Sequence, residues 1–146
     1  MFELGGVMTF RIAPIALLVF LSGPLTPSLS AKDPRSTRVQ EQFEFVMREL
    51  KVAHQGGNTL TLTLRYDYRP GLKPAEYPDF RRLAQTCEEF FKGYPNDKDY
   101  WEVLNLKLTA RLLREFPAVA KMTVEIQVAP TDQIPFPRAS TVTRTR

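Results

Sequence analysis

One stretch of the sequence, residues 77–130, constrains the fold more than any other. It predicts two amphipathic helices in immediate succession, a break at Phe116-Pro117 and then an alternating strand. Two strands are predicted before this stretch and one after it, which gives the order β-β-α-α-β-β. We therefore predict an α+β fold in which two consecutive helices cover one face of a four-stranded antiparallel sheet. The open edges of such a small sheet favour association between subunits.

The first 31 residues have the pattern of a secretory signal. Arg11 precedes an apolar run, residues 12–21, which is too short to span a bilayer. Small residues follow; they are Ser28, Ser30 and Ala31. We expect cleavage after Ser30 or Ala31, a secreted or periplasmic product and no membrane association after cleavage. A retained membrane anchor and a later start at Met8 are the alternatives.

The remaining chain is predicted to form one domain. Residues 32–37 are polar and contain a proline, which indicates a flexible lead-in, and residues 38–146 hold all the predicted elements. The net charge is +4, and the basic residues alternate with acidic ones, so a nucleic-acid partner is not indicated. The single cysteine, Cys87, excludes an internal disulfide; it is predicted to be buried, with a reactive thiol as the alternative.

The predicted strands are indicated by alternating side chains. The first lies within residues 39–52 and changes phase near Leu50, as a β-bulge would cause. A reversal with Gly56-Gly57 leads into the clearest strand, residues 59–68. Residues 122–128 are predicted as the third strand and residues 139–145 as the fourth. The arginines of the fourth segment fit either a charged strand edge or a phosphate contact.

The helices are indicated by apolar residues at helical spacing. The first is predicted to have Pro78 at its first helical position and to stop at Gly93. For the second, Asp99 is predicted as the N-cap, with Glu102 reaching back to complete a capping box. The apolar stripe of this second helix consists of Trp101, Leu104, Leu108 and Leu112.

Three segments of the sequence resemble the second half of dihydroneopterin aldolases and related tunnelling-fold (T-fold) proteins. They are Tyr77-Pro78-Asp79-Phe80, Tyr100-Trp101-Glu102-Val103-Leu104 and Leu112-Leu113-Arg114-Glu115-Phe116-Pro117-Ala118-Val119, the last followed by the strand that leads to Pro130. The resemblance covers most of the predicted domain in element order, but only residues 77–130 in detail. It implies subunits that join edge to edge into a closed antiparallel barrel with helices outside. It also implies pterin- or purine-like ligands bound between neighbouring subunits.

The resemblance assigns roles to two residues. Glu102 matches the family's acidic anchor, whose carboxylate accepts two parallel N–H bonds from a flat heterocycle. The alternative for Glu102 is a purely structural role in the capping box with Asp99. Tyr77 falls near the active-site tyrosine of the family, which can relay a proton or stack on a ligand. The alternative for Tyr77 is an ordinary aromatic packing residue ahead of Pro78.

The sequence also departs from the family pattern. The family places a proton-moving lysine just before the proline that ends the third strand, and Ala129 stands at that position. The acidic residue of the loop between the first two strands has no match in residues 54–58. His54 is a candidate substitute as catalytic proton carrier, although a lone histidine beside a turn is more often solvated. Aldolase chemistry is therefore not expected, and whether the chain is an enzyme stays open.

Two functions remain from the sequence. The first is an exported T-fold homo-oligomer, ring-shaped, that binds a pterin- or purine-like heterocycle between subunits through Glu102 and Tyr77, with Tyr77 and His54 as candidate catalytic groups. The second is a structural or interaction oligomer that keeps the barrel and has no small-molecule ligand. Neither a metal site nor a cofactor is indicated, since the single histidine has no cysteine or carboxylate cluster beside it.

Overall fold

A computed structural model describes residues 41–146. They form a four-stranded antiparallel sheet with the order β1-β2-β3-β4 and two helices between the second and third strands. The elements are β1 (Gln42–Val52), β2 (Asn58–Tyr68), α1 (Phe80–Lys92), α2 (Trp101–Glu115), β3 (Val119–Val128) and β4 (Arg138–Thr145). The predicted α+β fold and its element order are confirmed. The predicted signal segment and lead-in lie outside the described residues.

The first hairpin has the predicted irregularities. The β1–β2 register shifts between Met47 and Leu50, and Glu49 adopts a φ of 57° at this bulge. The chain then reverses through a short 3₁₀ turn, His54–Gly56, and the following Gly57; Gln55 and both glycines have positive φ. Glycine adopts such angles without steric cost, which explains the glycine pair at this turn.

The core lies between α2 and one face of the central strands. Alternate residues of β2 and β3 point to this face because side chains alternate along a strand. The fully buried apolar strand residues are Leu60, Leu62, Leu64, Tyr66, Val119, Met122, Val124, Ile126 and Val128. From α2, Leu104, Leu108 and Leu112 are buried against them. Each buried leucine contributes roughly 1.5–3 kcal/mol to folding, so this layer fixes the position of α2.

A buried asparagine adds a polar connection between α2 and the sheet. The Asn105 side-chain amide donates to the carbonyl oxygens of Val124 (3.1 Å) and Ser140 (3.0 Å), and its Nδ2 also lies 3.2 Å from Ser140 Oγ. Its Oδ1 accepts a hydrogen bond from Thr109 Oγ1 at 3.2 Å. Because Asn105 is fully buried, these bonds fix both the rotation and the height of α2 on β3 and β4.

Both helices begin later than the sequence predicts. Asp79 is the N-cap of α1 and accepts from the backbone N–H of Arg81 at 3.0 Å, so Pro78 lies before the cap. The N-cap of α2 is Tyr100, whose side chain makes no capping hydrogen bond. The predicted capping box is therefore wrong. Gly93 ends α1 as predicted.

Candidate functional site

Glu102 lies in the first turn of α2 with its side chain exposed. Its carboxylate has no hydrogen bond and no ion pair within residues 41–146. Glu102 is thus an available hydrogen-bond acceptor and not part of a cap.

Asp99, the predicted cap, is instead held by three side-chain donors. They are the hydroxyl of Tyr94, Nδ2 of Asn96 at 2.6 Å and Nζ of Lys107 at 2.7 Å. The hydrogen bonds from Lys107 and Tyr94 lower the pKa of the Asp99 carboxyl below its ordinary value. This network orders the loop between α1 and α2 immediately before Glu102.

His54 is buried, with only 5% of its surface exposed, so the expectation of a solvated histidine is wrong. Its Nε2 lies 3.0 Å from the Asp99 carbonyl oxygen, and its Nδ1 lies 3.6 Å from Asp97 Oδ1. The imidazole also packs edge-on against Trp101, with ring centroids 4.8 Å apart, and against Tyr94 at 5.6 Å. The structure therefore packs His54, a residue of the β1–β2 turn, against the start of α2.

The same end of the sheet holds Ala129, the position at which the sequence resemblance implies a lysine. Ala129 follows β3, and its N–H donates to the Thr59 carbonyl at the start of β2, at 2.9 Å. Nearby, Asn58 links this turn to β4: it donates to the His54 carbonyl at 2.8 Å and accepts from Arg138 Nη2 at 3.3 Å. The β1–β2 turn, the end of β3 and the start of β4 therefore converge here.

Two buried donors at this end lack an acceptor among the residues that the structure describes. They are the indole Nε1 of Trp101 and Nε of Arg138. A cleft of about 250 Å³ lies at the β1–β2 turn and the segment that follows β3. It is lined by Lys51, Val52, Gly57, Asn58, Thr59, Pro130 and Thr131. Most buried N–H groups in folded proteins are paired, so these two donors are exceptions among the described residues.

Tyr77 lies at the opposite end of the sheet. Its ring stacks on Tyr68, the last residue of β2, with centroids 4.4 Å apart and planes 13° apart. Its hydroxyl donates to the Glu41 carboxylate, and this bond raises the pKa of the phenol. Since β2 has 11 residues, its two ends are separated by roughly 30 Å at about 3.3 Å per residue. One chain therefore does not bring Tyr77 together with Glu102 and His54.

A second cleft of about 430 Å³ lies between α1 and the segment that follows α2. Glu76 and Pro78, the two neighbours of Tyr77, form part of its lining, together with Glu89 and Glu115. Across residues 41–146, no three histidine, cysteine or acidic side chains are grouped to hold a metal ion. Within the same range, neither helix combines the length and apolarity that a bilayer crossing requires.

The sheet order and the helix pair define the T-fold class, as the sequence resemblance implied. Among solved structures, a dihydroneopterin aldolase from Burkholderia thailendensis bound to guanine superposes with a TM-score of 0.57 at 17% identity, covering 78% of this chain and 97% of that one. A candidate dihydroneopterin aldolase from Vibrio cholerae gives a TM-score of 0.55 at 14% identity, covering 73% of this chain and 99% of that one. The chain therefore has the fold of the dihydroneopterin aldolase structures.

A third solved structure is also similar. It is a highly active mutant of the protein called BTUO, with a TM-score of 0.50 at 14% identity, and the match covers 73% of this chain but only 45% of that one. No protein-family model and no curated protein matches the sequence. At these identities the likeness establishes the fold, and the chemistry of the site has to be argued from the residues themselves.

Proposed function

We propose that this chain is an exported, secreted or periplasmic T-fold homo-oligomer that binds a planar heterocycle of the pterin or purine class between subunits, without aldolase activity. The observation that carries the proposal is the state of Glu102. Its carboxylate is exposed at the start of α2 and has no partner within residues 41–146. An ionised carboxylate accepts two parallel N–H bonds from the edge of an aminopyrimidinone ring.

The alternative role for Glu102 was to complete a capping box with Asp99. This role is not supported, because the structure has no such box. Asp99 is engaged by Lys107 and Tyr94, and the α2 cap is Tyr100 without a side-chain bond. The guanine in the Burkholderia structure, a purine with an N–H donor edge, indicates which probe to use first. These points support ligand binding over an oligomer that keeps only the barrel.

The position of Tyr77 supports a site shared between subunits. Glu102 adjoins the start of β2, since Trp101 packs on His54, whereas Tyr77 adjoins the end of β2. A ligand that contacts both side chains must therefore lie between two chains. The Tyr77 ring is already stacked on Tyr68, and its hydroxyl is bonded to Glu41, so its role in such a site is contact and not proton transfer.

Ala129 is the reason for excluding aldolase chemistry. Retro-aldol cleavage needs a group that moves protons at the substrate side chain, and a methyl group has none to move. His54 does not replace it, because the imidazole is buried and its Nε2 is bonded to the Asp99 carbonyl. We expect no glycolaldehyde release from dihydroneopterin by the mature protein; robust release would show that another residue carries this step.

The test of the proposal is calorimetric titration of the mature protein with guanine and with pterins. Replacing Glu102 with glutamine removes the charge and directs an N–H donor at the donors of the ligand. We expect Glu102→Gln to weaken binding by about 2 kcal/mol, which is roughly a 30-fold change in Kd.

A matched control is available on α1. Glu88 is also exposed, and it has no hydrogen bond within the described chain, so Glu88→Gln makes the same chemical change away from the site. Glu88→Gln should leave the Kd unchanged. The proposal fails if neither guanine nor any pterin binds at millimolar concentration, or if Glu102→Gln binds as tightly as the wild type.

A further inference from the structure

His54 and the residue after it hold the β1–β2 turn against the loop that precedes α2. The Asp99 carbonyl oxygen is 3.0 Å from His54 Nε2 and 3.0 Å from Gln55 Nε2, so both lone pairs of this oxygen are used. The backbone N–H of Gln55 donates to the Asp97 carboxylate. Two segments more than 40 residues apart in the sequence are thus joined at a single small contact.

The contact determines which nitrogen of His54 carries hydrogen. A carbonyl oxygen only accepts hydrogen bonds, so the short Nε2 contact requires a hydrogen on Nε2. Nδ1 faces the Asp97 carboxylate at 3.6 Å. Because both nitrogens face the loop and the ring is 95% buried, the imidazole has no free edge toward a ligand.

The loop contact lies directly before the residues that begin α2. Asp99 is two residues ahead of the helix, and Trp101, its first residue, packs against the His54 ring with centroids 4.8 Å apart. Glu102 follows Trp101 on the same turn. Any displacement of the Asp99 carbonyl or of the Trp101 ring therefore moves the Glu102 carboxylate.

We infer that His54 is a positioning residue: its Nε2–H bond to the Asp99 carbonyl and its packing on Trp101 hold the first turn of α2 in place, and through that turn they set the direction of Glu102. The ligand part of this inference rests on the proposed function. The assignment replaces the proton-carrier role predicted for His54. It also explains why a polar ring is buried beside a turn: burial is tolerated because the Nε2–H group is paired with the Asp99 carbonyl oxygen.

Two substitutions at position 54 distinguish the effect of the Nε2–H bond to Asp99 from the effect of side-chain volume. His54→Leu keeps apolar volume and removes the donor, whereas His54→Gln keeps an amide N–H at about the reach of Nε2. We expect His54→Leu to weaken guanine binding about tenfold, the upper range for one lost neutral hydrogen bond. His54→Gln should restore most of the affinity.

A readout without ligand keeps this test independent of the proposed function. Trp101 is the only tryptophan, so its fluorescence reports on this contact alone. The Leu104 amide, which bonds the Tyr100 carbonyl at 3.1 Å, reports the first turn of α2 by hydrogen exchange. We expect a red-shifted emission and faster Leu104 exchange in His54→Leu, and values near the wild type in His54→Gln.

A control is needed for general loss of stability. Ile126→Val shortens a fully buried side chain on β3 and costs about 1 kcal/mol without touching the His54 contact. It should leave the emission and the guanine affinity unchanged. Equal effects of leucine and glutamine at position 54, or no change in Trp101 emission and Leu104 exchange in His54→Leu, would overturn the inference. If the wild type binds no heterocycle, the proposed function fails, and the emission and exchange data alone decide the role of His54.

Discussion

Replacing Asn105 with aspartate is the most sensitive test of how α2 is held on the sheet. The two side chains have the same shape, but the substitution changes the N–H₂ donor into an oxygen. That oxygen would face the Val124 and Ser140 carbonyl oxygens, which lie 3.1 and 3.0 Å from Nδ2 in the wild type. In a fully buried position the new carboxyl is expected to stay protonated, because only the protonated form can donate to one of these carbonyls.

The size of the effect follows from proton linkage. An aspartate has a pKa of about 3.9 in the unfolded chain, and the buried carboxyl has a higher pKa in the folded chain. The folded state therefore binds the extra proton, and its stability relative to the wild type falls as pH rises above about 4. Each pH unit costs about 1.4 kcal/mol, so the difference reaches about 4 kcal/mol at pH 7 if the folded pKa lies at 7 or above.

The measurement is urea unfolding of wild type and Asn105→Asp from pH 4 to pH 7. The exposed Gln133 provides a control, since Gln133→Glu changes the net charge equally and should show no such slope. Asn105→Leu should lose stability by an amount that does not depend on pH, because it leaves the Thr109 hydroxyl without its acceptor. A flat difference between wild type and Asn105→Asp, below about 0.5 kcal/mol throughout, would refute the polar connection.

Three further predictions concern separate parts of the chain. Burial raises the pKa of the Cys87 thiol to about 12, so iodoacetamide at pH 8 should label only unfolded protein; rapid labelling of the folded state would contradict the buried position. The hydrogen bond from Lys107 lowers the pKa of Asp99 below its ordinary value of 3.8. The contribution of this bond to folding stability is therefore present above pH 3.8 and is lost as the pH falls through the lower pKa of the folded state. Lys107→Met should therefore be less stable than wild type at neutral pH, with the difference vanishing in acid; a constant difference would assign it to packing. Mass spectrometry of the exported protein should give an N-terminus at Ala31 or Lys32, and full-length protein in the cytoplasm would contradict export.

The strands were predictable because their signals are local. Alternation in β2 and β3, the phase change at Leu50 and the glycine pair before Asn58 each depend on neighbouring residues. The fourth strand, Arg138–Thr145, differs from the predicted range by one residue. Side-chain alternation and turn residues thus determined the element order, which is sufficient to reach the T-fold.

The details of the candidate site depend on contacts between distant parts of the chain. Asp99 fits the N-cap pattern, but the Lys107 amine and the Tyr94 phenol bind its carboxylate in the fold. His54 looks solvated beside its turn, but its partner, Asp99, is 45 residues further on. Asn105 does carry a readable signal, since a polar residue interrupts the apolar stripe of α2. The acceptors it reaches on β3 and β4 become known only once the sheet is formed.

The two sheet edges lead to a final prediction about assembly. β1 and β4 each have one side without a strand partner in the described sheet, and β1 holds half-exposed aromatic rings beside Phe80, itself 45% exposed. Pairing β1 with β1 would bury one edge and leave β4 open, so a dimer would still expose a strand. Pairing β1 of one chain with β4 of the next uses both edges and closes only in a ring. Light scattering of the mature protein should therefore show a homo-oligomer, and a proline at Thr143 in β4 should dissociate it. A stable monomer at tens of micromolar would remove the ring and, with it, a site shared between Glu102 and Tyr77.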